Sequence, residues 1–379
     1  MKKTLEKLRP IIFQLFDHLH EHPELSWKEV KTTEYIADFL QRNGCLVRIF
    51  PDHTGVVGEW GNGKEDSLTV GVRADMDSLW QEVNGTFQAN HSCGHDAHMT
   101  MVLGMLLLLK EIQVDLPGRL KLIFQPAEEM GNGAIKMIEK LVVDDIDFLY
   151  GVHLRPIHEL SKGTASPGIL HGAAETVSAR IIGFDTHGAR PDLGVNAIEV
   201  VGTIIEQLKG IRLNPYDSYS VKMTQVSAGG ENSNIIPGSA QFHLDLRAQT
   251  NETMNALVKK VDHILERVSA LYEVKIDFDH QEKVYAAVLN EEAQQIMVQA
   301  IAETLGEEQV KAPVVTPGAE DFHYYTKERP HLKAAMLGLG CDLQPGLHHP
   351  NMKFHRESLL DGIEILTRTV LATFKQNRK

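Results

Sequence analysis

Apolar residues recur at helical spacing from Leu5 to His20. This predicts a first helix that ends near Glu21-His22-Pro23, because proline disfavours helix in the residue before it. A second helix is predicted from Trp27 to Asn43, stopped by Gly44. Three near-continuous apolar runs end in polar or charged residues: Leu68 to Asp75, Leu120 to Gln125 and Phe148 to His153. Such runs mark central strands of a sheet covered on both faces. The Leu- and Met-rich stretch from Met99 to Ile112 lies between the first two and reads as a buried helix. Strands alternating with helices predict a layered α/β domain.

The pattern changes near Glu175. Strands are expected at Thr176 to Phe184, Ser218 to Val226, Ala240 to Ala248 and Val274 to Asp279. Helices are expected at Val195 to Ile211 and Asn251 to Tyr272, the second with Asn251 as its cap. The order is βαββαβ, the split arrangement of a ferredoxin-like domain. After Ala286 the alternation of helix and strand resumes. The expected organisation is a discontinuous catalytic domain, 1–174 and 287–379, with an inserted α+β lid at 175–286.

The 379 residues are 42% hydrophobic and 23% charged, an ordinary globular composition. A formal charge of -13 argues against a nucleic-acid partner, which calls for a basic stripe. The longest apolar run, Met101 to Leu109, is too short to span a bilayer. Cys45, Cys93 and Cys341 make a sparse, odd set that suits a reducing compartment better than a disulfide framework. Ile11-Ile12-Phe13 is too short for a signal segment, so the expected location is the cytoplasm.

The densest chemistry lies in Asn90-His91-Ser92-Cys93-Gly94-His95-Asp96-Ala97-His98. Cys93 and His95 straddle one glycine, and a tight turn points both donors at one spot. Thiolate with imidazole suits zinc and related divalent ions, while a reduced cysteine beside surface histidines is the plainer alternative. Ligands of open α/β sheets collect outside the carboxyl ends of strands. Asp75 and Asp77, Glu128 and Glu129, and His153 all follow or end predicted strands, and His348-His349 precedes Pro350. Each has a structural explanation on its own: a solvated turn, a core histidine, a strand-end turn. Together they match what hydrolysis at two divalent ions about 3.5–4 Å apart requires. One carboxylate must stay off the metal to move a proton, and two adjacent glutamates supply a ligand and a base. Gly58 to Lys64 fits the start of a phosphate loop, but Glu65 stands where Ser or Thr belongs. A hairpin-type turn at Gly61-Asn62-Gly63 is the preferred reading there.

The motifs together resemble the amidohydrolase branch of the aminoacylase and carboxypeptidase metallopeptidases. That branch includes hippurate hydrolases, N-acyl-amino-acid deacylases and plant indoleacetyl-amino-acid hydrolases. The resemblance rests on Leu19-His20-Glu21-His22-Pro23-Glu24-Leu25-Ser26, Arg73-Ala74-Asp75-Met76-Asp77, Cys93-Gly94-His95-Asp96 and Gln125-Pro126-Ala127-Glu128-Glu129. It continues through Gly151-Val152-His153, Asn234-Ile235-Ile236-Pro237, Glu320-Asp321-Phe322 and His348-His349-Pro350. It implies a zinc-peptidase-like three-layer catalytic domain carrying a ferredoxin-like lid. It also implies Cys93, His95, Glu129, His153 and His348 as ligands of two divalent ions, zinc, manganese, cobalt or nickel. Glu128 is implied as general base and then acid, and His187 as the oxyanion-stabilising group acting across a homodimer formed through the lid. Asn234 and Arg247 are implied to hold the substrate, Arg247 on its carboxylate.

The chain departs from the family pattern at Trp80, where proline is usual, before His187, which lacks the usual glycine pair, and at Gly318-Ala319-Glu320. Trp80 either covers the site or packs against the first sheet strand. The implied activity is metal-dependent hydrolysis of an N-acyl amino acid or similar small amide, with a metal-activated water as nucleophile. The alternatives are a dipeptidase or exopeptidase on the same scaffold, and a non-catalytic metal-binding interaction protein.

Overall fold

The apolar runs of the first half of the chain form the centre of a mixed sheet. The computed structural model describes residues 1–63 and 67–377. The strands are β1 (Leu46–Ile49), β2 (Val56–Trp60), β3 (Thr69–Asp75), β4 (Leu79–Val83), β5 (Thr86–Asn90), β6 (Arg119–Gln125), β7 (Phe148–Pro156) and β8 (Ala165–Ser166). A long strand, Lys333–Leu343, joins them from the C-terminal part. The main sheet has seven strands in the order β1-β2-β6-β3-β7, then Lys333–Leu343, then β8. Strands β6, β3, β7 and Lys333–Leu343 run parallel, so their carboxyl ends open on one edge. Register pairs Asp75 with Gln125 and Arg73 with Gly151, which brings Asp75, Gln125 and His153 to one level. Residues of β3 and β7 are buried throughout, as their unbroken apolar character requires.

Four helices of this part are α1 (Lys2–Glu21), α2 (Val30–Arg42), α3 (His95–Glu111) and α4 (Gly133–Glu139). Two more, Glu291–Leu305 and Ser358–Gln376, follow in the C-terminal part. Helix α3 is buried on nearly every side and packs against α1, β3, β7 and Ser358–Gln376. Its contact with the C-terminal helix depends on small residues. A Cβ on Gly104 would lie 2.4 Å from Ile363 Cδ1, and one on Gly362 would lie 2.2 Å from Met101 Sδ.

The chain divides into two compact units. The elements above belong to the first, Met1–Leu170, Val288–Val315 and Asp321–Lys379. The second is His171–Ala287 with Thr316–Glu320. It holds a four-stranded antiparallel sheet in the order Tyr219–Ala228, Ala240–Ala248, Ala173–Ile182, Lys275–Val284. Helices Ala197–Lys209 and Asn251–Tyr272 pack on it. Val177, Ile204, Phe242, Leu244, Leu257 and Val261 are fully buried between them. This strand order, with its two helices, is the ferredoxin-like arrangement.

Three local expectations are corrected. Gly61-Asn62-Gly63 is no hairpin turn, because β6 lies between β2 and β3 in the sheet. Its glycines instead let the backbone approach Gly118: a Cβ on Gly61 would lie 2.5 Å from the Gly118 carbonyl oxygen. Lys64 and Glu65 of the discarded phosphate loop lie outside the described residues. The cap of Asn251–Tyr272 is Thr250, whose hydroxyl accepts from Thr253 N–H at 3.1 Å. Asn251 spans to Ala286, donating to its carbonyl at 3.0 Å and accepting its N–H at 2.9 Å. Finally, Trp80 is mostly exposed rather than packed away against the first sheet strand. It is 59% exposed on the β4–β5 hairpin and stacks against Phe87 at 6.5 Å between ring centroids. Asn84 and Gly85, both at positive φ, form the two-residue turn of that hairpin.

The cap assignment predicts that Thr250→Ala lowers the stability of the second unit by about 1 kcal/mol in urea unfolding. Thr250→Ser should be close to neutral, since serine keeps the hydroxyl acceptor.

Candidate metal centre

The donors lie at or near the carboxyl ends of strands and at the start of α3. Gly94, at φ 88, turns the chain into α3, so Cys93 lies just before the helix and His95 opens it. The segment Pro126–Glu129 follows β6, His153 lies in β7, and His348 lies on a loop after Lys333–Leu343. These segments bring together Cys93, His95, Glu128, Glu129, His153 and His348. Cys93 Sγ is 3.6 Å from His153 Nε2. His95 Nε2 is 3.8 Å from both Glu128 Oε2 and Glu129 Oε1, and His348 Nε2 is 3.4 Å from Glu129 Oε1. Donors at about 2.0–2.3 Å around a tetrahedral ion lie roughly 3.3–3.8 Å apart, so the spacing is that of ligands sharing ions. Buried His95 Nε2 and Glu129 Oε1 make no hydrogen bond among the described residues. Unmet buried polar atoms at this spacing fit an ion, because leaving them bare is costly. The donor residues fall into overlapping groups of three that share His95, Glu129 and Cys93.

The partners of the imidazoles decide which nitrogen is free. His95 Nδ1 lies 2.9 Å from the Asp77 carbonyl and 3.2 Å from Asp77 Oδ1, so in the neutral ring Nδ1 carries the proton and Nε2 is the nitrogen left to bind an ion. His153 Nδ1 donates to the Leu154 carbonyl at 2.7 Å, which turns Nε2 toward Cys93 Sγ. His98 is positioned differently. Its Nε2 accepts Leu154 N–H at 3.0 Å, so Nδ1 must carry the proton that it gives to Asp75 Oδ1 at 2.7 Å. His98 thus holds the peptide next to His153. Asp75 is paired in turn with Arg73 at 2.6 Å, and Arg73 reaches Asp321 at 2.9 Å.

Asp77 organises the turn that carries the glutamates. Its Oδ1 accepts Glu128 N–H at 3.2 Å, and its Oδ2 accepts Glu129 N–H at 3.0 Å and the Ser26 hydroxyl at 2.6 Å. The His348 loop is tied on by Ser92, whose carbonyl accepts His348 N–H at 2.8 Å. Gln81 of the hairpin donates to the His348 carbonyl at 2.7 Å. Gln81 was not singled out by sequence reasoning, and Ser26 and His98 stood in the quoted motifs without an assigned role. Gln81 has a local signal, the Asn84-Gly85 turn that places its strand.

Electrostatics favours loading with a cation. Burial and the nearby Glu129 push the Cys93 thiol up. Burial opposes the charged form of His95, but Asp75, Cys93 and Asp77 outweigh it and raise its pKa well above the usual value. Contact with Cys93 and then Glu129 raises His348 to about 10. Burial, then His98 and Arg155, keeps His153 neutral.

Other candidates fall elsewhere. His349 Nδ1 accepts Asn351 N–H at 3.1 Å on the exposed loop. His187, Asn234 and Arg247 belong to the second unit. His187 pairs with Ile235 in a two-residue ribbon, and its Nδ1 accepts Ala189 N–H at 3.0 Å. Gly188 N–H donates to the Asn234 carbonyl at 2.7 Å, and Arg247 pairs with Asp245 on the exposed side of its strand.

The profile of peptidase family M20/M25/M40 matches residues 71–372. The chain belongs to this family. It is 32% identical to the N-acetyl-L-cysteine deacetylase of Bacillus subtilis, over 99% of this chain and 90% of that protein. It is 30% identical to the N-acyl-L-amino acid amidohydrolase of Geobacillus stearothermophilus, over 74% and 80% of the two chains. The crystal structure of a dinuclear metal-binding M20 peptidase from Bacillus subtilis superposes with a TM-score of 0.83 at 26% identity, covering 98% and 99% of the chains. Like its M20 relatives, the chain is a metal-dependent amide hydrolase, and its donor set supports two divalent ions.

Metal loading has a pH signature. Cys93, His95 and His348 hold protons more tightly than usual in the metal-free protein, and ligation requires those protons to leave. Zinc binding near pH 7 is expected to release protons, measured as a buffer-dependent calorimetric enthalpy, and affinity should rise with pH. A buffer-independent enthalpy would contradict the assignment of these groups as ligands.

Proposed function

We propose that this M20 chain hydrolyses the amide bond of N-acyl amino acids or similar small amides, with Glu128 as its proton carrier. The observation that carries this reading is the adjacent pair Glu128 and Glu129, both 3.8 Å from His95 Nε2 on a turn held by Asp77. A purely structural metal site has no use for a second carboxylate at that position. Cys93, His95, Glu129, His153 and His348 would hold the two ions. Thiolate and imidazole favour zinc there, while the carboxylates also admit manganese, cobalt or nickel. When bound, the ions acidify the attacking water and polarise the scissile carbonyl. Glu128 takes a proton from that water at a carboxylate oxygen and delivers it to the amine nitrogen as the C–N bond breaks. The products are a carboxylate and a free amine.

His187 would stabilise the oxyanion from a neighbouring subunit. The neighbouring backbone tie between Gly188 and Asn234 supports a preorganised group there. Asn234 and Arg247 would engage the substrate, Arg247 through its carboxylate. Tyr219–Ala228 and Lys275–Val284 are the edge strands of their sheet, and either supplies a surface for homodimerisation by strand pairing. Three free cysteines support a reducing, cytoplasmic setting.

Glu128→Gln should keep fold and metal while kcat falls by about 10²- to 10⁴-fold on a hydrolysed N-acyl amino acid. Glu129→Gln should instead reduce bound metal, read by elemental analysis. Reversed outcomes would swap the two roles. A panel pairing N-acyl amino acids with dipeptides of free amino terminus separates deacylase from dipeptidase.

Mixing inactive Glu128→Gln with inactive His187→Ala should restore part of the activity, because one site of each mixed dimer regains both groups. No recovery despite proven subunit exchange would count against action across the dimer.

A further inference from the structure

Glu29 belongs to no group of metal donors, yet its side chain is completely buried. It occupies the N-cap position of α2, but its side chain makes no capping bond. That task falls to Glu24, whose carboxylate accepts Thr32 N–H at 2.8 Å, the Thr32 hydroxyl at 2.9 Å and Lys31 N–H at 3.3 Å. The Glu29 carboxylate reaches across the fold instead. Oε1 accepts Ala127 N–H at 2.9 Å, and Oε2 accepts the Thr54 hydroxyl at 2.6 Å.

Ala127 is the residue before Glu128, and its φ of 51° lies in the left-handed region that residues with a Cβ avoid. Such a conformation persists only where the surroundings over-determine it. Here both backbone polar groups of Ala127 and of Glu128 are held. The Ala127 carbonyl accepts Gly133 N–H at 3.2 Å, and the Glu128 carbonyl accepts Gly131 N–H at 2.7 Å. Asp77 holds the Glu128 and Glu129 amides, and only the Ala127 amide depends on Glu29. The preceding residue is boxed in as well. A Cβ on Gly55 would lie 2.7 Å from Pro126 Cδ, and one on Gly133 would lie 1.7 Å from the Pro126 carbonyl oxygen.

We infer that Glu29 is a positioning residue for the hydrolysis: by holding the Ala127 amide in its left-handed turn, it aims Glu128 at the reacting water. The inference rests on the reading of Glu128 as proton carrier. A merely structural role is disfavoured by the cost of the arrangement. A buried carboxylate with two donors is poorly compensated, and burial pushes Glu29 up to about 7. An apolar side chain of the same size would fill the space without that cost. Asp77 acts on the same turn, but it also orients His95, so its replacement mixes two effects. Glu29 hydrogen-bonds none of the donor residues and separates them.

The test compares Glu29→Leu and Glu29→Gln in the full-length, metal-loaded protein, with Glu128→Gln as background. Glu29→Leu is expected to lower kcat by about 10- to 100-fold through misplacement of the base, with KM and metal content little changed. Glu29→Gln keeps an oxygen for the Ala127 amide and should recover most of that loss. In metal-free protein, amide exchange across 127–133 should be faster in Glu29→Leu than in wild type. In the Glu128→Gln background, Glu29→Leu should add little further loss, because both act through one group. If Glu29→Leu fails to fold, Glu29→Met replaces it under the same criteria. Wild-type kcat in the apolar variant, a Gln variant as impaired as it, or an equal loss in the Glu128→Gln background would overturn the inference. Should Glu128→Gln itself stay fully active, the base reading falls and takes this inference with it.

Discussion

The carboxylate of Asp77 is the interaction on which the metal centre of this chain depends. It accepts from His95 Nδ1, the Ser26 hydroxyl and the Glu128 and Glu129 amides, four donors from three separate segments. Burial alone would raise its pKa, but the bonds from His95, Ser26 and the Glu129 amide keep it below the usual value and ionised. An ionised carboxylate has lone pairs for all four donors, and an asparagine in its place would present an amide where two of them point. One side chain therefore sets both the free lone pair of His95 and the heading of the two glutamates.

Beneath that layer lies a second set of charges with no access to water. Arg73, fully buried, pairs with Asp75 and Asp321 and donates to the Gln125 side-chain oxygen at 3.0 Å. Asp321 also accepts from Gln125 Nε2 and from Ala134 N–H, each at 2.9 Å. Pairs of this kind add little net stability, because desolvation offsets the attraction, but they penalise any packing that leaves one partner alone. The network joins β3, β6 and the start of α4, and so flanks the turn that carries Glu128 and Glu129. Through Asp75 and His98 it also holds the peptide beside His153. The rigidity of the donor set is thus a property of polar partners two bonds removed from it.

The rim is built otherwise. His348 stands on a loop, its side chain 54% exposed, and it is tied by backbone and side-chain bonds to Ser92 and Gln81. The hairpin that supplies Gln81 turns Trp80 and Phe87 outward on its other face. Trp80 therefore occupies a solvent-facing position of the hairpin, on the face opposite Gln81.

The sequence by itself determined the central strands, the buried helix α3 and which side chains offer metal-ligand chemistry. Those features are local: an apolar run, a glycine between two donors, a pair of adjacent glutamates. The βαββαβ unit was legible for the same reason, since period and turn signals alternate cleanly along it. Tertiary structure decided what depends on partners far apart in the chain. The placement of β6 between β2 and β3 made a connecting loop of the expected turn at Gly61-Asn62-Gly63. Lys333–Leu343 entered the sheet between β7 and β8 by pairing with β7, nearly two hundred residues earlier. The Thr250 cap differs from its neighbour Asn251 only because Ala286 claims the asparagine. Glu29 reads as one more acid at a helix start until the fold brings Ala127, 98 residues away, onto its carboxylate. Residue types fix which chemistry a side chain offers, but a buried hydrogen bond needs its partner, and only the fold supplies it.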